Sequence, residues 1–200
     1  MLLIVIRHGE SEADLLGIHE GRADYGLTER GFCQASAMAT YITEKYTITK
    51  LYSSPLKRAD QTAEQLSEKA HIPIIYDERL MEFNNGLLAG MPKTEAAEKY
   101  PIVQDLPVDQ AVYGQESKLE FRRRADSVLT SIIKESSDED VIAIVSHGGL
   151  INQLYHSALN MPEDSKNTFI TSDTGVHIWE KHGDKIRIIT ANMNAHAMGI

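Results

Sequence analysis

Hydrophobic and polar positions follow two alternating patterns along this chain. Short apolar segments recur at Leu2–Ile6, Leu51–Ser53, Pro73–Tyr76 and Val141–Val145, as expected of strands buried on both faces of a sheet. Between them the spacing becomes helical. Thr28 is placed as the N-cap of a helix reaching about Tyr46, and Ser54, with Pro55 at the first helical position, opens a helix carrying Leu56, Ala59, Ala63, Leu66 and Ala70. A further helix is predicted from Ser117 to Ile133, and another follows from Leu150, Ile151, Leu154, Tyr155 and Ala158. Val176–Glu180 and Lys185–Thr190 flank His182, Gly183 and Asp184, which predicts a β-hairpin. Strands alternating with helices imply an α/β fold with a mostly parallel sheet, to which the final hairpin adds an antiparallel edge.

The segment from about 83 to 115 fits this alternation poorly. It carries Pro92, Pro101 and Pro107 and is expected to be a cap-like excursion within a single domain spanning residues 1–200. Met91, Tyr100, Val103, Leu106, Val112 and Tyr113 lie in it, with Lys93 and Lys99. They either line a partly apolar pocket or pack the excursion onto the sheet.

Composition narrows the function classes. Of 200 residues, 42% are hydrophobic and 24% charged, and 20 Lys+Arg against 29 Asp+Glu give a net charge of −9. Such an acidic surface disfavours nucleic acid and anionic membranes, although a local arginine cluster can still reverse the sign inside one cleft. Cys33 is the one cysteine, so no internal disulfide can form. No apolar run is long enough to span a membrane, and Met1–Ile6 reads as a strand and not as a leader. A cytoplasmic location is expected.

Two strands end alike. Ile4–Ile6 runs into Arg7, His8 and Gly9, and Ala143–Val145 runs into Ser146, His147, Gly148 and Gly149. Ligands of open parallel sheets bind beyond the carboxyl ends of the strands, so these two imidazoles are expected at one edge. The third strand to end there precedes Arg58, in the first turn of its helix. Two guanidiniums and two imidazoles converging in an acidic chain suit a tetrahedral oxyanion, phosphate above all. Neutral histidine is a competent nucleophile toward phosphorus, and Glu82 could protonate a leaving oxygen. A metal site at His8 and His147 is the competing reading, but no HExxH or closely spaced ligand set accompanies it. No dinucleotide fingerprint or P-loop is present.

Arg7, His8, Gly9, Glu10 and Ser11 resemble the signature of the histidine phosphatase superfamily, which includes the cofactor-dependent phosphoglycerate mutases. Gly21–Asp24 with Leu27–Gly31, Ser53–Ala63, Leu80–Glu82 with Gly86, Gly114–Ser117 and Ser146–Gly149 are similar to further blocks in the same order. The resemblance implies a three-layer α/β/α sandwich and a covalent phosphohistidine on His8. Arg7, Arg58 and His147 would hold the transferring phosphoryl group. Glu82 would be general acid and then base, and Ser11, Asp14, Gly21 and Gly148 would help bind substrate. No metal and no cofactor are implied.

Asp14 departs from the usual Asn, and a carboxylate beside a phosphate dianion repels it unless protonated or turned away. Gly26 and Ala89 are further departures. Residues Phe83–Leu88 lack a cation for a second anionic group, so hydrolysis of a small phosphorylated substrate is expected ahead of mutase activity. A phosphate-sensing or protein-binding module without turnover is the alternative from another class. The hairpin edge or the excursion offers a surface for a homodimer.

Overall fold

A computed structural model describes all 200 residues. Six strands form one sheet in the order β3-β2-β4-β1-β5-β6. They are β1 (Leu2–Arg7), β2 (Lys50–Ser53), β3 (Ile74–Tyr76), β4 (Val141–Ser146), β5 (Val176–His182) and β6 (Lys185–Met193). The first four run parallel, while β5 pairs antiparallel with both β1 and β6. The hairpin therefore supplies the antiparallel edge, closed by Gly183 at φ 54°, a left-handed conformation that glycine adopts without steric cost.

The side-chain alternation of β1 and β4 divides the core in two. Leu3 and Val5 with Ile142 and Ile144 face helices α5 (Lys118–Lys134) and α6 (Gly148–Ala158). Ile4 and Ile6 with Ala143 and Val145 face helices α2 (Glu29–Lys45) and α3 (Lys57–Ala70). Because the strands are apolar on both faces, each face must be covered by helices, and a three-layer sandwich results. Burying each of these Leu, Ile and Val side chains stabilises the fold by roughly 1.5–3 kcal/mol. No helix is long and apolar enough to cross a membrane.

Local signals explain most boundaries. Thr28 caps α2 by accepting from Gly31 N–H, and Ser117 caps α5 through a reciprocal capping box with Glu120. Ser54 does not cap α3, which begins at Lys57 behind Leu56 with no side-chain cap. The Ser54–Pro55 pair has the right composition for a helix start, but the Ser54 hydroxyl accepts from the Leu56 N–H and bonds to His147. Tertiary bonding therefore overrides the local pattern. Two short helices were not expected: α1 (Glu12–Leu16) and, within the 83–115 segment, α4 (Lys93–Lys99). The first is built by another capping box, between Ser11 and Asp14.

Candidate active site

Strands β2, β4 and β1 are neighbours, so their carboxyl ends lie side by side. Arg7 ends β1 and His8 follows it, Ser54 follows β2, and His147 follows β4. The His8 and His147 rings lie 5.1 Å apart, centroid to centroid, and both are buried. Gly9 is required at the turn after His8, because a Cβ there would fall 2.6 Å from the Gly31 carbonyl oxygen.

The hydrogen bonds fix the His8 tautomer. Nδ1 lies 2.7 Å from the Gly9 carbonyl oxygen, which can only accept. Nδ1 therefore carries the proton and Nε2 presents a lone pair. Arg58 Nε approaches that Nε2 at 3.3 Å, while its other two nitrogens donate to the Ala23 and Gly21 carbonyls at 3.0 and 2.8 Å. Burial holds the His8 pKa well below the usual imidazole value, and the charges of Arg58 and Arg7 add to this against the opposing Gly9 hydrogen bond. His147 is likewise held low by burial, then by Arg58 and the neighbouring cations. Both environments therefore favour the neutral imidazole.

His147 Nε2 lies 2.8 Å from Ser54 Oγ. Leu56 N–H donates to that oxygen; when the Ser54 hydroxyl in turn donates to His147 Nε2, the His147 proton sits on Nδ1. That buried Nδ1 has no partner, and neither does Arg7 Nε. Two buried donors without partners in a strand-end cleft are what an anion would satisfy. The rest of Arg7 is fixed, with NH1 donating to the Thr171 carbonyl at 2.9 Å and NH2 lying 3.2 Å from Asp173. Gly148 opens α6 beside the Arg7 side chain.

Glu82 reaches the same place from the loop after β3. Its carboxylate accepts from the Phe83 and Gly149 N–H groups at 2.7 and 2.9 Å. Arg124 on α5 fastens that loop by donating to the carbonyls of Arg79, Met81 and Glu82 at 2.9, 2.6 and 3.1 Å. It also pairs with Glu116, which accepts from Asn84 N–H. Glu82, Asp14, Glu20, His19, Asn85 and Lys93 border a cleft of about 280 Å³.

The structure thus brings Arg7, His8, Arg58, Glu82 and His147 together at the carboxyl ends of β1, β2 and β4, and of the other expected residues Asp14 and Gly21 border the adjoining cleft with Glu82. The Asp14 carboxylate is turned to the Ser11 N–H and lies 4.0 Å from Arg7. Gly21 serves through its carbonyl, which anchors Arg58, and a Cβ there would overlap Asn85. Sequence reasoning missed the contributions of Ser54, Gly149, Arg124 and Glu20. The first two stood inside recognised motifs, where a hydroxyl and a glycine gave the signal. Arg124 and Glu20 left none, since their partners are distant in the chain. A larger cavity of about 820 Å³, bordered by Tyr100, Val103, Leu106, Val112 and Tyr113 of the 83–115 segment, lies apart from the imidazoles against α6. No three His, Cys, Asp or Glu side chains converge to hold a metal ion.

The sequence matches the family model of the histidine phosphatase superfamily (branch 1) over residues 3–194. It is 32% identical over 165 residues to phosphoserine phosphatase 1 of Hydrogenobacter thermophilus, covering 80% of this chain and 76% of the relative. It is also 32% identical over 162 residues to a metal-independent phosphoserine phosphatase of Arabidopsis thaliana, covering 76% and 66%. Among solved structures, Bacillus stearothermophilus YhfR superposes with a TM-score of 0.86 at 26% identity over 98% of both chains. Motif order, strand-end geometry and these matches agree, and the chain belongs to the histidine phosphatase superfamily.

Proposed function

We propose that the chain is a metal-independent phosphomonoesterase acting on a small phosphorylated substrate through a phosphohistidine on His8. The observation that carries this is the His8 tautomer, whose Nδ1 proton is tied to Gly9 so that Nε2 offers its lone pair beside Arg58. In the first step Nε2 attacks phosphorus, the ester P–O bond breaks, and Glu82 gives its proton to the departing alcohol. Arg7, Arg58 and the His147 Nδ1–H hold the phosphoryl oxygens as charge redistributes. In the second step Glu82 takes a proton from water, whose oxygen attacks phosphorus. The P–N bond breaks, returning its electron pair to Nε2 and releasing phosphate. The 83–115 segment acts as a cap within a single domain, and the phosphoserine phosphatase relatives support a small monoester as substrate.

Rapid quench with radiolabelled phosphomonoester should trap an acid-labile phosphoenzyme, and His8→Ala should lose both the adduct and p-nitrophenyl phosphate hydrolysis in EDTA. Hydrolysis that survives the substitution would refute the assignment.

A further inference from the structure

We propose that Glu20 governs entry of the phosphoryl group, because its carboxylate stands before the His8 nucleophile and only its protonated form shares that place with an oxyanion. This rests on the phosphomonoesterase reading. Glu20 Oε1 lies 3.5 Å from Arg58 Nε and accepts from the Ser11 hydroxyl, and Oε2 lies 4.0 Å from His8 Nε2. The other Arg58 nitrogens each give one N–H to the Ala23 and Gly21 carbonyls. Arg58 Nε–H is the one directed at the His8 nucleophile, so an oxyanion arriving there would share it, and Glu20 already stands beside it. A carboxylate and a phosphate dianion at one imidazole repel each other strongly. A neutral carboxyl at the same point would instead donate an O–H to a phosphoryl oxygen.

The surroundings oppose one another in charge. Arg58, Arg7 and His8 face Glu20 from α3 and the end of β1, and Asp14 faces it from α1. Glu82, His19 and Lys93 share the cleft mouth. Burial pushes the Glu20 carboxyl up, Arg58 and the Ser11 hydroxyl pull it down, and Asp14 adds to the rise. The net result lies above the usual carboxylate value. Oxyanion affinity is therefore greatest at acidic pH and falls as pH rises and Glu20 ionises.

Sulfate tests this without turnover, since it remains a dianion where phosphate titrates. Its affinity is measured by calorimetry on the full chain and on Glu20→Gln. Between about pH 5 and about pH 7.5, wild-type affinity should fall by roughly tenfold or more, and near pH 7.5 Glu20→Gln should bind about tenfold more tightly than wild type. Asp14, and Asp173 whose carboxyl is also raised by burial, are common to both proteins, so the difference isolates Glu20. If Glu20→Gln fails to fold, Glu20→Ala gives the same comparison. Equal affinities near pH 7.5, parallel pH slopes, or no sulfate binding to either protein would overturn the proposal. Should phosphoenzyme trapping fail while the sulfate slopes differ, the Glu20 gate stands and the hydrolytic reading falls.

Discussion

The Gly149 N–H donates to the Glu82 carboxylate across 2.9 Å, and a Cβ on Gly149 would come within 2.4 Å of the same side chain. The glycine both holds the carboxylate and leaves room for it. Gly149→Ala should displace Glu82 while α6 remains folded. Hydrolysis of alkyl phosphates, whose leaving groups need a proton, should drop roughly 100-fold. Loss with p-nitrophenyl phosphate should be much smaller, and Glu82→Gln should show the same split. Equal losses on both substrates would remove Glu82 from the proton-donor role.

Arg124 is a positioning residue for the same carboxylate. It binds three carbonyls of the Glu82 loop and pairs with Glu116. A lysine keeps the charge but cannot span these acceptors with a planar fork. Arg124→Lys should lower kcat for alkyl phosphates by roughly tenfold, with less effect on nitrophenyl phosphate and a stability loss of about 1–2 kcal/mol. A purely structural role would lower stability without changing the dependence on leaving group.

Ser54 supports His147 and not Glu82, so its removal should leave a different signature. In Ser54→Ala the buried Nε2 loses its partner at 2.8 Å, and the tautomer with the proton on Nδ1 loses its preference. Turnover should fall roughly tenfold on good and poor leaving groups alike. A selective effect on alkyl phosphates would contradict this division of labour.

Acid should destabilise the fold through His177. Its Nδ1 accepts from Asn192 N–H at 3.1 Å and lies 2.6 Å from the Tyr155 hydroxyl, leaving Nε2–H for Thr171 at 3.0 Å. Burial pushes its pKa down to about 4. The unfolded chain binds this proton near the ordinary histidine value and the folded chain does not. The stabilisation is therefore whole above about pH 6.5 and is lost as pH falls to about 4, up to roughly 3 kcal/mol. Urea midpoints measured across that window should fall more steeply for wild type than for His177→Gln. Parallel curves would show that another group governs acid unfolding.

The strands and the long helices were legible because apolar runs and helical spacing reflect burial directly. Thr28 and Ser117 were legible because capping is local. Ser54 was misread as a cap because its partner, His147, lies on another strand end. Helix α4 was hidden in a segment of weak periodicity, and Glu20 in a loop with no periodicity. The paired His-Gly strand ends brought Arg7, His8, Arg58 and His147 into view from topology alone, since adjacent parallel strands must deliver their ends together. What remained hidden was the set of hydrogen bonds that chooses each tautomer.

The neighbouring order of β2, β4 and β1 has a kinetic consequence. The groups of the cleft come from opposite ends of the chain, and long-range loop closure must precede their meeting. During refolding, helices can form early, yet turnover should return only once the first strand has docked beside the fourth. Recovery of activity is then a clock for the pairing of β1 with β4.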